Sequence, residues 1–491
     1  WHDVTGALTF KGTHHLFQGC PHRNGWSHAA SKDLVHWEDR GIHVKSVHET
    51  YEGMDSTSVP CSGFVSVNEE GVPCAGFRQC ESNKGTTGLN PKAHPWDVPL
   101  EVRCAKNDAL TEWGDSQYLF PFYFYRHLPY DPVRPWKDTD GKWYVALSTD
   151  GCNATTQKVP CAAGGRLDLL TAPKFNGPWS QLDAMFTTNT TKSGMAWSPG
   201  AITREFVTSD YFGGLPGDPA NGATRVVMQN MPDQTFWVGK QSNGGPFQAF
   251  WNKTGAVGHY DYGTLTMART LSDPNQVATN DRRVLVGNTN YQPPSSQSLA
   301  RDLTLSEDYE LLQQFVPELQ VLRTPSTYQL FGTSSELPWN EPQHGSMQME
   351  VVASFTFSFQ HPPEAPFGVE VLRGQDGKST RLQVSCDQGL AKCTVGVNAT
   401  AQGGKTAMGP LLPIASVTGS QIVTVHLHAI VDHTIIEAIF NNRTAMVVYS
   451  VPAAPTDTDF MLFSDPADKV GGKLEKWGLS DAGSADSALI V

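Results

Sequence analysis

Long helical periodicity is nearly absent from this chain, and that absence constrains its fold more than any single motif. Short β-prone runs recur instead between turn clusters: Gly63-Phe64-Val65-Ser66-Val67, Lys142-Trp143-Tyr144-Val145-Ala146-Leu147, Arg225-Val226-Val227-Met228 and Arg283-Val284-Leu285-Val286. Runs this short, rich in β-branched and aromatic residues, read as strands. The 45 Gly and 33 Pro supply the punctuation that many strands need. The reading is all-β. No repeat of fixed period shows, and a degenerate propeller does not require one.

At 491 residues the chain exceeds one ordinary core, so two or more domains or one large repeat domain are expected. The texture changes between Pro317 and Pro342. Phe315 to Arg323 reads as a short helical or extended connector. Strands of a second kind follow: Met347 to Val352, Leu382 to Val384 and Ile422 to His428. Their alternation suggests a β-sandwich. We place a first domain at 1–325, a linker at 326–345 and a second domain at 346–491.

The net charge of −13, with no basic run, argues against a nucleic-acid or anionic-membrane partner. No apolar run of membrane-spanning length is visible. Nine cysteines stand at 20, 61, 74, 80, 104, 152, 161, 386 and 393, none with zinc spacing. Cys74/Cys80, Cys152/Cys161 and Cys386/Cys393 are close in sequence; Cys386–Cys393 would clamp a hairpin. Sequons occur at Asn153, Asn189, Asn252, Asn398 and Asn442. Together these favour a secreted protein, extracellular or in a vacuolar lumen, holding several disulfides. The chain opens directly on a motif, so a leader upstream of it is expected.

That opening is Trp1-His2-Asp3-Val4-Thr5-Gly6-Ala7-Leu8-Thr9-Phe10-Lys11-Gly12, followed by His14-His15-Leu16-Phe17-Gln18. Asp3 stands between aromatic and imidazole neighbours before a Gly turn. Such a carboxylate suits nucleophilic attack on a sugar carbon; it also suits a plain turn.

Several segments together resemble glycoside hydrolase family 32, the invertases, inulinases, levanases and plant fructosyltransferases. The opening resembles the family's W-M-N-D-P-N-G with one residue deleted. Trp26-Ser27-His28-Ala29-Ala30-Ser31-Lys32-Asp33-Leu34-Val35-His36-Trp37 is the most specific match. Tyr130-Asp131-Pro132 resembles its R-D-P region and Tyr260-Asp261-Tyr262-Gly263 a D-Y-G element. Val316-Pro317-Glu318-Leu319 resembles the hinge out of the propeller, and Val431 to Phe440 a signature strand of the C-terminal sandwich. The resemblance implies a five-bladed β-propeller followed by a C-terminal β-sandwich. It implies β-fructofuranoside substrates, sucrose or fructans, cleaved with retention through a covalent intermediate. No metal or cofactor is implied.

By the same resemblance Asp3 is the nucleophile and Asp131 the transition-state stabiliser, while Gln18 and Trp26 line the fructose subsite. The alternative for Asp131 is a surface Asp-Pro turn, and for Trp26 a core position. His14, His15, His28 and His36 read as strand and core residues. Three departures stand out. His2 and Val4-Thr5 replace the usual flanks of the nucleophile, and Tyr130 replaces the usual Arg. In Gly194-Met195-Ala196-Trp197-Ser198-Pro199, Trp197 stands where the acid/base Glu belongs. Glu205 lies eight residues beyond it, roughly 26 Å along an extended strand. Asp233 and Asp55 are other candidates, and the acid/base stays unassigned. General acid catalysis contributes about 10²–10⁴-fold. A catalytically impaired fructoside-binding member and a fructosyltransferase are therefore carried beside the hydrolase. A propeller of the family 43 kind, inverting on arabinan or xylan, is disfavoured by the sandwich signature.

Overall fold

The computed structural model describes residues 4–19, 25–51, 54–58, 60–79, 100–119, 130–149, 166–187, 207–231, 234–250, 258–272, 282–289, 296–332, 337–358, 360–387, 392–412 and 422–481. Strands dominate them. The first sheet holds β1 (Val4–Phe10), β2 (Thr13–Gly19), β3 (Gly25–Ser31) and β4 (Trp37–Lys45) in simple order. A two-stranded ribbon, β5 (Val47–Tyr51) with β6 (Met54–Ser58), follows. The second sheet holds β7 (Pro60–Val67), β8 (Pro73–Gln79), β9 (Leu100–Cys104) and β10 (Gln117–Tyr118). The third holds β11 (Tyr130–Pro132), β12 (Trp136–Lys137), β13 (Trp143–Thr149), β14 (Arg166–Ala172) and β15 (Ser180–Thr187). The fourth holds β16 (Val207–Gly213), β17 (Thr224–Met231), β18 (Thr235–Lys240), β19 (Gln248–Ala249) and β20 (Gly258–His259). The fifth holds β21 (Thr266–Leu271), β22 (Arg283–Asn288), β23 (Arg301–Leu305) and β24 (Leu311–Phe315).

In every one of these sheets the first strand lies at one edge. Those edge strands touch in a closed ring: β1 to β7, β7 to β11, β11 to β16, β16 to β21 and β21 back to β1. This is the β-propeller expected from the sequence. Its apolar cores lie between neighbouring sheets. Leu8, Phe17 and Trp26 pack with Val65 and Phe77, and Phe64 and Val102 pack with Val145 and Leu170. β1 is buried almost throughout, which explains why Val4 to Phe10 lacks clean alternation. Gly6 is required there, because a Cβ would stand 2.6 Å from Cγ2 of Val65 on β7.

The second part is a two-sheet sandwich. One sheet carries β25 (Arg323–Gly332), β26 (Gln348–Ser358), β31 (Ile422–Asp432), β32 (Ile435–Phe440), β33 (Thr444–Tyr449) and β35 (Gly471–Leu479). The other carries β27 (Phe367–Arg373), β28 (Thr380–Asp387), β29 (Lys392–Asn398), β30 (Thr406–Pro410) and β34 (Asp459–Phe463). Burial alternates along β26 and along the first half of β31, as one-sided strands require. Both sheets share one core around Phe355, Phe367, Val425 and Phe440.

The boundary differs from the expected 325 and its linker at 326–345. The chain divides at Leu311/Leu312, and Arg323–Gly332 is a strand paired with β35. The connector expected at Phe315 to Arg323 is a 3-10 turn, Pro317–Leu322. Residues 326–345 read as a linker in sequence, yet Arg323 anchors a strand that runs into them. Its guanidinium makes two 2.7 Å bonds to Glu350 on β26 and lies over the Trp477 ring. Burial pushes the Glu350 carboxyl upward, but the bonds from Arg323 and His428 outweigh it and hold it at about 2.

One segment between β20 and β21 belongs with the sandwich. His259–Leu265 groups with the second unit. The amides of Tyr262 and Thr264 donate to the carbonyls of Ala445 and Val447 on β33. Asp261 is fully buried, and its Oδ1 accepts from the amides of Gly263 (2.7 Å) and Val447 (3.2 Å). A Cβ on Gly263 would meet the Val447 carbonyl oxygen at 2.0 Å. The D-Y-G element is thus an added edge on a sandwich sheet.

Two disulfides lie among the described residues. Cys386–Cys393 clamps the β28–β29 hairpin, as its spacing suggested. Cys74 pairs with Cys104 across β8 and β9, although Cys80 is nearer in sequence.

Candidate functional site

The propeller ring carries one irregularity five times over. Each first strand breaks register with its neighbour near its own start. In β1 the break lies between Val4 and Gly6, in β7 between Pro60 and Gly63, and in β11 between Tyr130 and Pro132. In β16 it lies between Val207 and Asp210, and in β21 between Thr266 and Arg269. A bulge bends its strand and re-aims a side chain, and bulges gather beside active sites. The opposite ends of the ring are regular: Thr9, near the end of β1, donates its amide to Ser272, just past β21. The bulges therefore gather at one end of the ring.

One of them falls on a candidate residue, Asp131, and another on Thr5, two positions after Asp3 in sequence. In β11, Tyr130 faces Ser148 and Pro132 faces Leu147, so Asp131 is the extra residue. The expectation of a plain surface turn there is replaced by a bulge on an inner strand. In β1, Val4 faces Gln18 and Gly6 faces Phe17, so Thr5 is the extra residue. Its hydroxyl donates to the Phe17 carbonyl at 3.1 Å and holds the bulge. The Asp131 side chain lies outside the described residues, as do Asp3, Trp197, Glu205 and Asp233 and the Asp55 side chain.

Gln18, opposite Val4, is 1% exposed, and among the described residues neither its Oε1 nor its Nε2 has a hydrogen-bond partner. An unpaired buried amide costs about 1–3 kcal/mol. A sugar hydroxyl that gives and takes a hydrogen bond would satisfy it. Gln18→Ala is therefore expected to raise KM for a sugar ligand about tenfold at nearly constant folding stability, since it removes a binding contact and an unpaired amide together. An unchanged KM would remove Gln18 from the site.

Trp26 lies elsewhere. It is fully buried, with Phe77 edge-on at 5.5 Å and Phe17 at 6.4 Å. Its ring is part of the core between the first two sheets, as in the alternative weighed for it. The same core holds two imidazoles. His15 Nδ1 and His28 Nε2 are 2.9 Å apart, and His28 stacks on Phe17 at 4.4 Å. Burial, then the charge of Arg40, lowers the His15 pKa to about 4; burial, then His15, lowers His28 to about 3. Both rings are neutral near pH 7, as core residues must be. Among the described residues no cluster of His, Cys, Asp or Glu is arranged to hold a metal.

Sequence reasoning missed two arginines that link neighbouring strands of the ring. Arg134, just after β11, donates to the Ser272 hydroxyl (3.0 Å), the Asp210 carboxylate (3.4 Å) and the Thr270 carbonyl. Arg269 on β21 donates from Nε to the Val4 carbonyl (3.4 Å) and from Nη2 to the Gly63 carbonyl (3.1 Å). Between them they tie strands from all five sheets. A charged residue inside an otherwise uncharged strand, as in Thr266-Met267-Ala268-Arg269-Thr270-Leu271, was the available signal.

Comparison with known proteins agrees with this architecture. Residues 318–477 match the family described as glycosyl hydrolases family 32 C terminal. The acid beta-fructofuranosidase of Vicia faba is 24% identical over 432 residues, which is 80% of this chain and 62% of that protein. The chain thus spans less than two thirds of that curated relative. Fructan 1-exohydrolase IIa from Cichorium intybus superposes with a TM-score of 0.73 at 17% identity, covering 98% of this chain and 95% of that one. Exo-inulinase from Aspergillus awamori gives 0.70 at 15% identity, covering 98% and 96%.

Proposed function

We propose that the chain is a divergent member of glycoside hydrolase family 32 and that it cleaves β-fructofuranosides, sucrose or a fructan, with retention. The observation that carries the reading is the ring of bulged strand starts. Asp131 is itself a bulged residue in it, and Gln18, whose amide has no partner among the described residues, pairs with Val4. The relative from Vicia faba is named for the same activity.

In this reading the Asp3 carboxylate attacks the anomeric carbon of the fructosyl unit. The bond to the leaving oxygen breaks, and that oxygen takes a proton. Water then attacks the fructosyl ester, loses its proton and releases Asp3 as a carboxylate. Asp131 holds sugar hydroxyls and favours the positive charge developing in the ring. Gln18 orients the same sugar. The two disulfides and the exposed Asn442 in the β32–β33 turn support a secreted or vacuolar location. Among the described residues no helix is long and apolar enough to cross a membrane.

The test is direct. Incubation with sucrose and with inulin, followed by chromatography, is expected to show free fructose, and NMR of the first product is expected to show the β-anomer. Release of the α-anomer would replace retention by inversion. Glucose outrunning fructose at high sucrose would instead identify fructosyl transfer to a sugar acceptor. Trp197 at the acid position favours a second reading, a fructoside-binding member of low activity. An activated aryl fructoside needs less protonation than sucrose. Turnover of the aryl fructoside alone would establish that second reading.

A further inference from the structure

We propose that a cavity between the third and fourth sheets of the propeller, at the end of the ring away from the bulges, binds a sugar phosphate. The site stands apart from the proposed fructosyl chemistry and does not depend on it.

The cavity has a volume of about 610 Å³. Asp138 lines it from the turn after β12, Asn221 and Arg225 from the connection into β17, and Lys240, Ser242 and Gln248 from the connection between β18 and β19. β16 begins at its bulge and runs seven residues before that first connection. The cavity therefore lies roughly 20 Å along the strand from the bulged end. Its walls are held by hydrogen bonds of their own. The Asn243 amide donates to Oδ2 of Asp138 at 2.8 Å, and the Thr139 hydroxyl donates to Oδ1 of Asn243 at 2.9 Å. In the β16–β17 connection, Asp218 accepts from the amides of Ala220, Gly222 and Thr224 and from the Thr224 hydroxyl. Walls ordered in this way reduce the entropy lost on binding.

Two cations line the cavity in a chain whose net charge is −13. Arg225 donates from Nη1 to the carbonyls of Gly222 (2.6 Å) and Thr224 (3.1 Å) and bonds the Tyr211 hydroxyl. Burial pushes the pKa of that phenol upward, so it stays neutral. A guanidinium has more N–H donors than these partners use. Among the described residues neither Arg225 nor Lys240 has a carboxylate partner. The acid in the lining, Asp138, is 8% exposed, and its two oxygens accept from the amides of Thr139 and Asn243. Positive charge with arginine donors to spare suits a phosphoryl group.

The remaining side chains decide what carries the phosphate. Asn221, Ser242 and Gln248 are exposed and offer amides and a hydroxyl, which match sugar hydroxyls. Among the described residues no aromatic side chain lines the cavity, so a nucleotide base finds no ring to stack on. The volume is that of a small-molecule site, and inorganic phosphate alone would leave most of it to water.

Calorimetry on the whole chain with glucose 6-phosphate, inorganic phosphate and glucose tests the site. Glucose 6-phosphate is expected to bind about tenfold more tightly than phosphate, and glucose not measurably. Arg225→Met is expected to weaken glucose 6-phosphate about tenfold or more, because it removes charge-assisted bonds. Gln248→Glu sets a carboxylate opposite Lys240, its partner across β18 and β19, at an exposed position. It is expected to weaken binding by about as much, with thermal unfolding unchanged. Should Arg225→Met fail to fold, Gln248→Glu decides alone. Gln18→Ala, at the bulged end, is expected to leave the affinity as it was. Absence of glucose 6-phosphate binding overturns the inference, as does binding that survives in the folded variants or phosphate binding as tightly as the sugar phosphate. Binding lost in Gln18→Ala and kept in Arg225→Met also overturns it, by assigning the ligand to the fructosyl site.

Discussion

Asp3→Asn and Asp131→Asn are each expected to lower fructose release from sucrose by at least about 10³-fold, with thermal unfolding little changed. The two losses arise differently. An amide at position 3 cannot form the fructosyl ester, so the first half-reaction stops. An amide at 131 keeps its shape and some hydrogen bonding but no longer faces the developing ring charge with a negative one. The first substitution should therefore remove turnover of an activated aryl fructoside as well as of sucrose. The second should spare KM more than kcat. Asp131 sits at a bulge, where the register of Tyr130 and Pro132 with β13 sets the backbone. Folding is thus expected to tolerate the change. Near-wild-type activity in either variant would end the assignment of that residue.

The second large effect concerns stability in acid. His15 and His28 are held neutral, with pKa values near 4 and 3. In the unfolded chain both titrate near 6.5. Between these values the unfolded state binds protons that the folded state does not. Their contribution is therefore complete above about pH 6.5, is lost as pH falls toward 4, and levels off once the folded rings protonate. Each ring accounts for a loss on the order of 3 kcal/mol, and the pair for less than twice that, because the two rings share a hydrogen bond. Melting temperatures of wild type and His28→Gln, compared from pH 7 to pH 4.5, isolate this from the carboxylates. The variant is expected to start lower at pH 7 and to decline less steeply. Parallel curves would show that the pair does not govern acid unfolding.

Much of the fold was legible because strand texture is local. Short runs bounded by Gly and Pro are strands for reasons contained within each run. The alternation in Met347 to Val352 and Ile422 to His428 is likewise a local consequence of one buried face. What escaped was non-local. Nothing near Cys74 tells it to prefer Cys104 over Cys80; strand pairing decides. Trp26 looks the same in sequence whether its ring faces a sugar or Phe77. The boundary near 325 rested on the change of texture between Pro317 and Pro342, whereas Arg323 is fixed by Glu350, a residue 27 positions on. Among the candidate site residues, Gln18 is named by the resemblance, while its burial is set by packing that the sequence does not display. The bulge that makes Asp131 the odd residue of its strand was not legible, because a bulge exists only relative to a partner. Arg269 was hidden for the same reason, since its partners lie 265 and 206 positions away.

The short edge formed by Tyr260 to Thr264 on β33 bears on how this polypeptide behaves when it is cut. A protease acting near Leu311/Leu312 would leave two pieces, and the N-terminal piece would still carry His259–Leu265. That stretch remains laced into the C-terminal piece through the carbonyls of Ala445 and Val447 and the buried carboxylate of Asp261. Nicked chains should therefore migrate as one particle on a sizing column and part only in denaturant. Neither half made separately would be whole: one would carry a buried acid with nothing to bury it, and the other an open sheet edge prone to capturing a foreign strand.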